Sequence, residues 1–347
     1  MTKYLRNTWY QAGWSAELKA GELLHRRFLE EPVLLFRKTD GTAVAMLDRC
    51  PHRFAPLHMG KHLGDAVQCP YHGLQFSADG RCIANPHGPV PGAARIKTFP
   101  VAERYSALWI WMGDPAKADP EAIVPFEFNT PEHWHVGTGH LLINAHYELE
   151  TDNILDLSHI EFLHPLFASE AVRAAKVQSI QDGDTVWCKR FITRDSPPEF
   201  LYRSFNIPPG ELVDRWLDVR WNAPAMMVLH AGGVVSGKPR ESGLEVRQAH
   251  VFTPESAHTT HYFYSISFPR ALGEQGAQMA RESVELLRGP FEQEDKPVVE
   301  AIARNMGDTS FWDAKPLLLP IDGAAVLARR ILAKKIEAEQ TAGAAVG

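Results

Sequence analysis

Short apolar runs punctuated by turn residues dominate the first hundred positions. PVLLFR (32–37) and AVAMLD (43–48) flank KTDGT, and LQFS and RCIA flank Asp79-Gly80. An Asp-Gly pair between such runs predicts a hairpin, because both residues accept the backbone angles of a tight turn. The region reads as short strands, closed by the apolar ALWIWMGDP (107–115), after which AKADPEAIVPF loosens into a Pro/Ala-rich connection. That places a boundary near 116–120. The expected organisation is therefore an all-β domain over 1–118 and a second domain over 119–347. Beyond the boundary, NAHYELETDNILDLSHIEFLH and the stretches around 273–306 and 323–340 carry helical periodicity, whereas LDVRW, EVRQAHVFT and TTHYFYSISF read as strands. The second domain is expected to be α+β. The tail TAGAAVG is low in complexity and expected to fray.

Composition narrows the class. The chain has 347 residues, 45% hydrophobic and 22% charged, which is ordinary for a globular protein with a sizeable core. Net charge is −6 and the arginines are scattered, so no nucleic-acid footprint is present. The start, MTKYLRNTWYQAGW, has no apolar run behind its basic residues, and no stretch approaches the roughly 18 apolar residues of a membrane span. A cytoplasmic protein is expected. Four cysteines in so long a chain do not make a disulfide framework. Cys82 and Cys188 are expected as buried thiols.

The other two cysteines lie in paired motifs. CPHRFAPLHMG (50–60) and CPYHG (69–73) supply Cys50 with His52 and Cys69 with His72, sixteen residues separating the two elements. A structural zinc site would use the same donor types, but zinc-finger spacing puts both cysteines on one knuckle and both histidines on the other. Here each knuckle contributes one of each. A di-iron cluster in which two histidines replace two cysteines on one iron requires this mixture. The bland alternative, unrelated core cysteines and surface histidines, must explain two Cys-Pro-(x)-His elements followed by turn chemistry. At these residues the sequence resembles the Rieske proteins. The resemblance implies a [2Fe–2S] cluster with Cys50 and Cys69 on one iron and His52 and His72 on the other. Neutral imidazoles raise the potential of such a cluster above that of all-cysteine clusters.

ETDNILDLSHIEFLHP (150–165) carries a second polar constellation. Asn153, Asp156 and His159 recur every three residues, so on a helix they share a face, and apolar residues interleave. Pro165 disfavours helical geometry at His164, which lets that histidine turn back toward His159. Any one of these histidines alone would be read as a surface residue. Together they resemble what a 2-His-1-carboxylate iron site draws from one segment. The third ligand must come from elsewhere. FEQEDKPVVEAIARN (291–305) offers Glu292, Glu294 and Asp295 where Pro297 is expected to interrupt a helix.

Taken in order, these motifs resemble the Rieske non-haem iron oxygenases over nearly the whole chain. LRNTWYQAGW, CPYHGLQF, LWIWMGDP, VDRW and FTPE resemble the subgroup of aromatic O-demethylases and methyl monooxygenases. The resemblance implies a Rieske domain followed by a helix-grip catalytic domain around an antiparallel sheet, assembled as a head-to-tail homotrimer. It implies mononuclear Fe(II) on His159, His164 and Asp295, with Asn153 nearby and Asp156 bridging His72 of the partner subunit and His159; the alternative is that Asp156 orients His159 within its own chain. Electrons would come from NAD(P)H through a separate reductase or ferredoxin. O2 would hydroxylate a methyl or methoxy group of a small, acidic aromatic substrate.

His250, in RQAHVFTPE, is expected to bind an acidic substrate group, and His230 to line the same pocket. Relative to the dicamba-type enzymes, a substrate-clamping tryptophan and asparagine are replaced by Leu286 and Leu229, which implies a more apolar pocket. Met226 and Met227 line a cavity or fill the core. Ring dioxygenation and N-demethylation use the same metals and stand as alternative reactions. A Rieske electron carrier fused to a binding module is the non-enzymatic alternative, and a zinc-stapled binding protein needs no redox chemistry.

Overall fold

The computed structural model describes residues 4–90 and 92–344. The chain forms two compact units. One runs to Ile123 and takes in Thr253–Ala257 and the residues from Glu339; the other comprises Val124–Phe252 and His258–Ala338.

The first unit is built from three small antiparallel sheets. Trp9–Trp14 pairs with Ala107–Trp111, which pairs with Val101–Arg104. Leu24–Phe28, Glu31–Arg37, Ala43–Leu47 and Thr98–Phe99 form the second sheet, and Lys61–His62, Ala66–Gln68, Gln75–Ser77 and Cys82–Ala84 the third. Both predicted hairpins are present. Gly80 turns one of them at φ +81°, where a Cβ would lie 2.1 Å from the Ile96 carbonyl oxygen, so only glycine fits. Between the second and third sheets lies an apolar cluster including Leu34, Phe36, Met46, Val67 and Phe76, and Cys50 and Cys69 are buried within it.

A seven-stranded antiparallel sheet forms the body of the second unit. Its order is Trp134–Ile143, Thr260–Pro269, Leu244–Pro254, Met226–Val235, Val213–Asn222, Thr185–Asp195 and Lys176–Asp182. The helix Gly273–Gly289 presses against the first of these strands. Gly137 permits that approach, since a Cβ there would come within 2.2 Å of the Ala280 carbonyl oxygen. Among the described residues, no helix is long and apolar enough to cross a membrane.

Three expectations about helices are corrected. The segment through 144–164 is not one helix: Tyr147–Leu155 is helical, Asp156 is extended (φ −119°, ψ 92°), Leu157–His159 is a single 3₁₀ turn, and Ile160–Leu163 is a short helix. Asp156 causes the break, because its carboxylate accepts from the Ser158 amide and caps the next turn, as aspartate does at helix N-termini. The second helix stops at His164, ahead of Pro165, as expected. In the 273–306 region the irregularity is a π-helical turn at Pro290–Asp295, not a break at Pro297. Pro297 sits in the first turn of the helix Lys296–Met306, where a missing N–H costs nothing. The terminal helix continues to Ala344, so Thr341–Ala344 are helical rather than frayed; the end of that tail, 345–347, lies outside the described residues.

Candidate metal centres

Two loops with one construction hold the Cys/His pairs. The Cys50 amide donates to the Ala55 carbonyl at 2.9 Å and the Phe54 amide donates back to the Cys50 carbonyl at 2.9 Å. In the second loop the Cys69 amide donates to the Leu74 carbonyl at 2.8 Å and the Gly73 amide to the Cys69 carbonyl at 3.2 Å. Each loop reverses through a left-handed residue, Phe54 at φ +61° and Gly73 at φ +72°. This fold-back turns the sulfurs inward and the imidazoles outward. Cys50 and Cys69 are 1% and 2% exposed, whereas the His52 and His72 rings lie on the outer side, 4.6 Å apart. Burial, and then the neighbouring Cys69 thiol, push the Cys50 thiol up to about 11. His72 Nδ1 is buried without a hydrogen-bond partner. Two sulfurs on one side, two imidazoles on the other and an orphaned ring nitrogen between fit the donor set of a Rieske cluster. All four cysteines are free, and Cys82 and Cys188 are buried.

In the second unit His159, His164 and Asp295 converge. Asp295 Oδ1 lies 3.5 Å from His159 Nε2 and 3.3 Å from His164 Nε2, and the rings are nearly perpendicular at 75°. Donors at bonds of about 2.1 Å around one cation sit roughly 3 Å apart, so this spacing suits an ion. The outer nitrogens are already engaged: His159 Nδ1 faces the Asp156 carbonyl oxygen at 2.7 Å and His164 Nδ1 faces Glu294 Oε2 at 2.6 Å. Such outer partners fix ring orientation and tautomer. Asn153 Nδ2 donates to Asp295 Oδ1 at 3.1 Å. Burial holds the His159 imidazole below its ordinary value. Burial also lowers His164, but hydrogen bonds and charge from Asp295 and Glu294 outweigh it and leave its pKa raised.

The structure separates the three acidic candidates. Asp295 points inward and is buried, Glu294 supports His164, and Glu292 is turned outward to Arg288. The π-helical turn is what swings Asp295 in. Asp156 differs from expectation in its atoms: its backbone carbonyl, not its carboxylate, meets His159, while the carboxylate is held by Ser158 and by Arg190 at 3.3 Å.

A cavity of about 120 Å³ adjoins the three donors, lined mainly by apolar side chains such as Leu157, Phe167, Leu229 and Phe291. That is the scale of a cavity that takes up benzene, about 150 Å³. His250 is fully buried in its wall, with Nδ1 2.7 Å from the Tyr262 hydroxyl and Nε2 without a protein partner. Burial depresses its pKa to about 3, so the ring is neutral. Leu229 lines the cavity as expected, but His230 does not. Successive residues of Met226–Val235 alternate faces, so Leu229 and Ala231 face the cavity and His230 points to the other side, against Glu245 at 2.9 Å. Leu286 is likewise misassigned: it is 45% exposed, and its neighbour Leu287 reaches the cavity. Met226 and Met227 are buried outside the lining and fill the core.

Three features escaped sequence reasoning. Arg215 reaches the cavity wall and is held there by Asp195; the two stand apart in sequence and only strand pairing brings them together. Glu150 is 2% exposed, and burial, then Asp295 and Glu300, push its carboxyl up to about 8. In the first unit, His25 and His58 both face buried Asp48. Helical spacing next to the iron-type motif was a signal for Glu150; nothing local announced the other two.

Comparison with known proteins gives one picture. Residues 143–338 match the vanillate O-demethylase oxygenase C-terminal domain, and residues 8–100 the Rieske [2Fe–2S] domain. The chain is 39% identical over 344 residues to the oxygenase component of chloroacetanilide N-alkylformylase of Rhizorhabdus wittichii, covering 97% of each. It is 34% identical to the oxygenase component of dicamba O-demethylase of Stenotrophomonas maltophilia, covering 95% of this chain and 97% of that one. A crystal structure of dicamba monooxygenase with non-heme iron and dicamba superimposes with a TM-score of 0.81 at 32% identity, covering 98% of this chain and 99% of that one.

Proposed function

The chain belongs to the Rieske non-haem iron oxygenases, as the oxygenase component of a multicomponent monooxygenase, and from that premise we propose that it hydroxylates a methyl or methoxy carbon of a small aromatic compound, releasing formaldehyde. The observation that carries this reading is the convergence of His159, His164 and Asp295 beside an apolar cavity the size of one aromatic ring. In the proposed division of labour, residues 1–118 relay electrons and residues 119–347 oxygenate. His159, His164 and Asp295 hold the iron; Cys50, His52, Cys69 and His72 hold the cluster.

When bound, the ferrous ion supplies O2 activation and the [2Fe–2S] cluster supplies electrons one at a time from a reductase. The chain's own residues provide the setting. Glu294 and the Asp156 carbonyl fix the two imidazoles so that both Nε2 atoms point to one place. Phe291, Leu157 and Leu229 exclude water, and His250 Nε2 orients the substrate. For an aryl methyl ether, O2, two electrons and two protons give a hemiacetal and water, and the hemiacetal collapses to a phenol and formaldehyde.

A homotrimer is proposed with it. Asp156 then links His159, through its carbonyl, to His72 of the partner subunit, through its carboxylate. A cytoplasmic location suits electrons drawn from NAD(P)H. N-dealkylation is the second reading, favoured by the relative named an N-alkylformylase. Oxygen uptake with formaldehyde detection across methoxy-, N-alkyl- and unsubstituted aromatics tests the proposal. Formaldehyde without a cis-diol is expected; a cis-diol would make the protein a ring dioxygenase.

A further inference from the structure

We propose that the cavity selects a neutral aromatic substrate bearing a hydrogen-bond acceptor, and that the buried Arg215–Asp195 pair is the specificity determinant that keeps carboxylates out. This rests on the reading that the cavity is the site of oxygenation, and it revises the acidic substrate expected from the sequence.

Besides the three converging donors, the polar groups in the wall are Arg215, Gln248 and His250. Register places them on one face: Leu217 pairs with Ala231, and Leu229 pairs with Gln248. An arginine in a substrate pocket ordinarily signals an anionic substrate, since its fork matches a carboxylate. Here the charge is already matched: Nη2 faces the Asp195 carboxylate, although Nε is buried without a hydrogen-bond partner. Arg215 Nη2 lies 2.5 Å from Asp195 Oδ2, and the two side chains are 5% and 2% exposed. The same nitrogen lies 3.4 Å from Ser169 Oγ. A substrate carboxylate would compete with an internal one that is already desolvated and in place.

His250 offers no charge either. Its ring is fully buried, and Tyr262, whose hydroxyl burial keeps protonated, is placed to donate to Nδ1. That network assigns the proton of the neutral ring to Nε2, the atom with no protein partner. A lone N–H donor in an apolar wall selects an acceptor, such as an ether or amide oxygen. A carboxylate entering this cavity would lose its hydration and find Arg215, the one lysine or arginine in the lining, already paired with Asp195.

Isosteric pairs such as 4-methoxybenzamide and 4-methoxybenzoate test the proposal, with binding to the holoenzyme measured by calorimetry and turnover by formaldehyde release. The amide is expected to bind, and to exceed the acid in kcat/KM by on the order of 100-fold. Asp195→Asn, which frees the guanidinium, should reverse the order and let the acid bind. Should that variant not fold, the double variant Arg215→Leu with Asp195→Leu should fold and keep the amide ahead. Equal or better binding of the acid by the wild-type protein overturns the proposal, as does failure to bind either member of every pair. Amide binding without formaldehyde leaves the neutrality claim standing and refutes the oxygenase reading of the cavity instead.

Discussion

Two clusters in this molecule have the same make-up, two histidines and one aspartate: His159, His164 and Asp295 in the second unit, and His25, His58 and Asp48 in the first. Their geometry differs. Around Asp295 the imidazole nitrogens stand off at 3.3 and 3.5 Å, and each ring is tied from behind. Around Asp48 the gap is closed: His25 Nδ1 is 2.6 Å from Oδ2, His58 is closer still, and the rings lie 4.3 Å apart, tilted by 32°. The other Asp48 oxygen accepts the amides of Leu57 at 2.6 Å and His58 at 2.8 Å. Asp48 is therefore a fastener for the turn that follows the first cysteine loop. A census of residue types does not define a metal site. What distinguishes one is spacing wide enough for an ion and outer nitrogens engaged elsewhere.

Substitution should divide the two clusters sharply. His159→Ala or Asp295→Ala is expected to remove one iron per chain and lower turnover at least about 1,000-fold, while the visible absorption of the [2Fe–2S] cluster persists. His25→Ala should leave the iron count untouched, and loss of iron in that variant would break the distinction.

Burial supplies the next test. The Glu150 carboxyl, raised to about 8 from its ordinary 4.5, keeps its proton in the folded protein over a range where the unfolded chain has lost it. Folded-state stability should then fall as pH rises from about 4.5 to 8. Glu150→Gln should remove that decline, stabilising the metal-free protein by on the order of 2–4 kcal/mol at pH 9 and by little at pH 4, read from denaturant midpoints. Equal midpoints at pH 9 would show that Glu150 ionises freely.

Asp48→Ala leaves two amides and two imidazoles without their acceptor. About 2 kcal/mol of stability should be lost, with the mononuclear iron retained. Smallest among these is Glu294→Gln, which keeps a hydrogen bond to His164 but removes the charge behind it. Iron affinity should weaken roughly 10-fold or somewhat more, measured by chelator competition.

How far the sequence foretold this molecule depended on how local the determinants were. Cys50, His52, Cys69 and His72 were legible because each loop carries its own pair and its own turn residues. The strand-rich first unit followed from short apolar runs and Asp-Gly turns, and the mixture of helix and strand in the second from periodicity; its antiparallel sheet was implied only by the family resemblance. Asp295 could not be told from Glu292 and Glu294 by spacing, since the π-helical turn begun at Pro290 decides which carboxylate turns inward. His230 was misplaced because a one-residue shift along a strand changes the face, and Leu286 because adjacent residues on a helix diverge. Asp156 broke a helix by capping the next turn, which periodicity alone does not weigh. Arg215 and Asp195 were missed because only sheet register joins them.

Quantification of iron, zinc and acid-labile sulfide in the fully loaded protein tests the central claim most directly, that one chain organises two separate iron sites. Three irons, two sulfides and no zinc per chain are expected. Two irons with two sulfides, or zinc in place of iron, would contradict it.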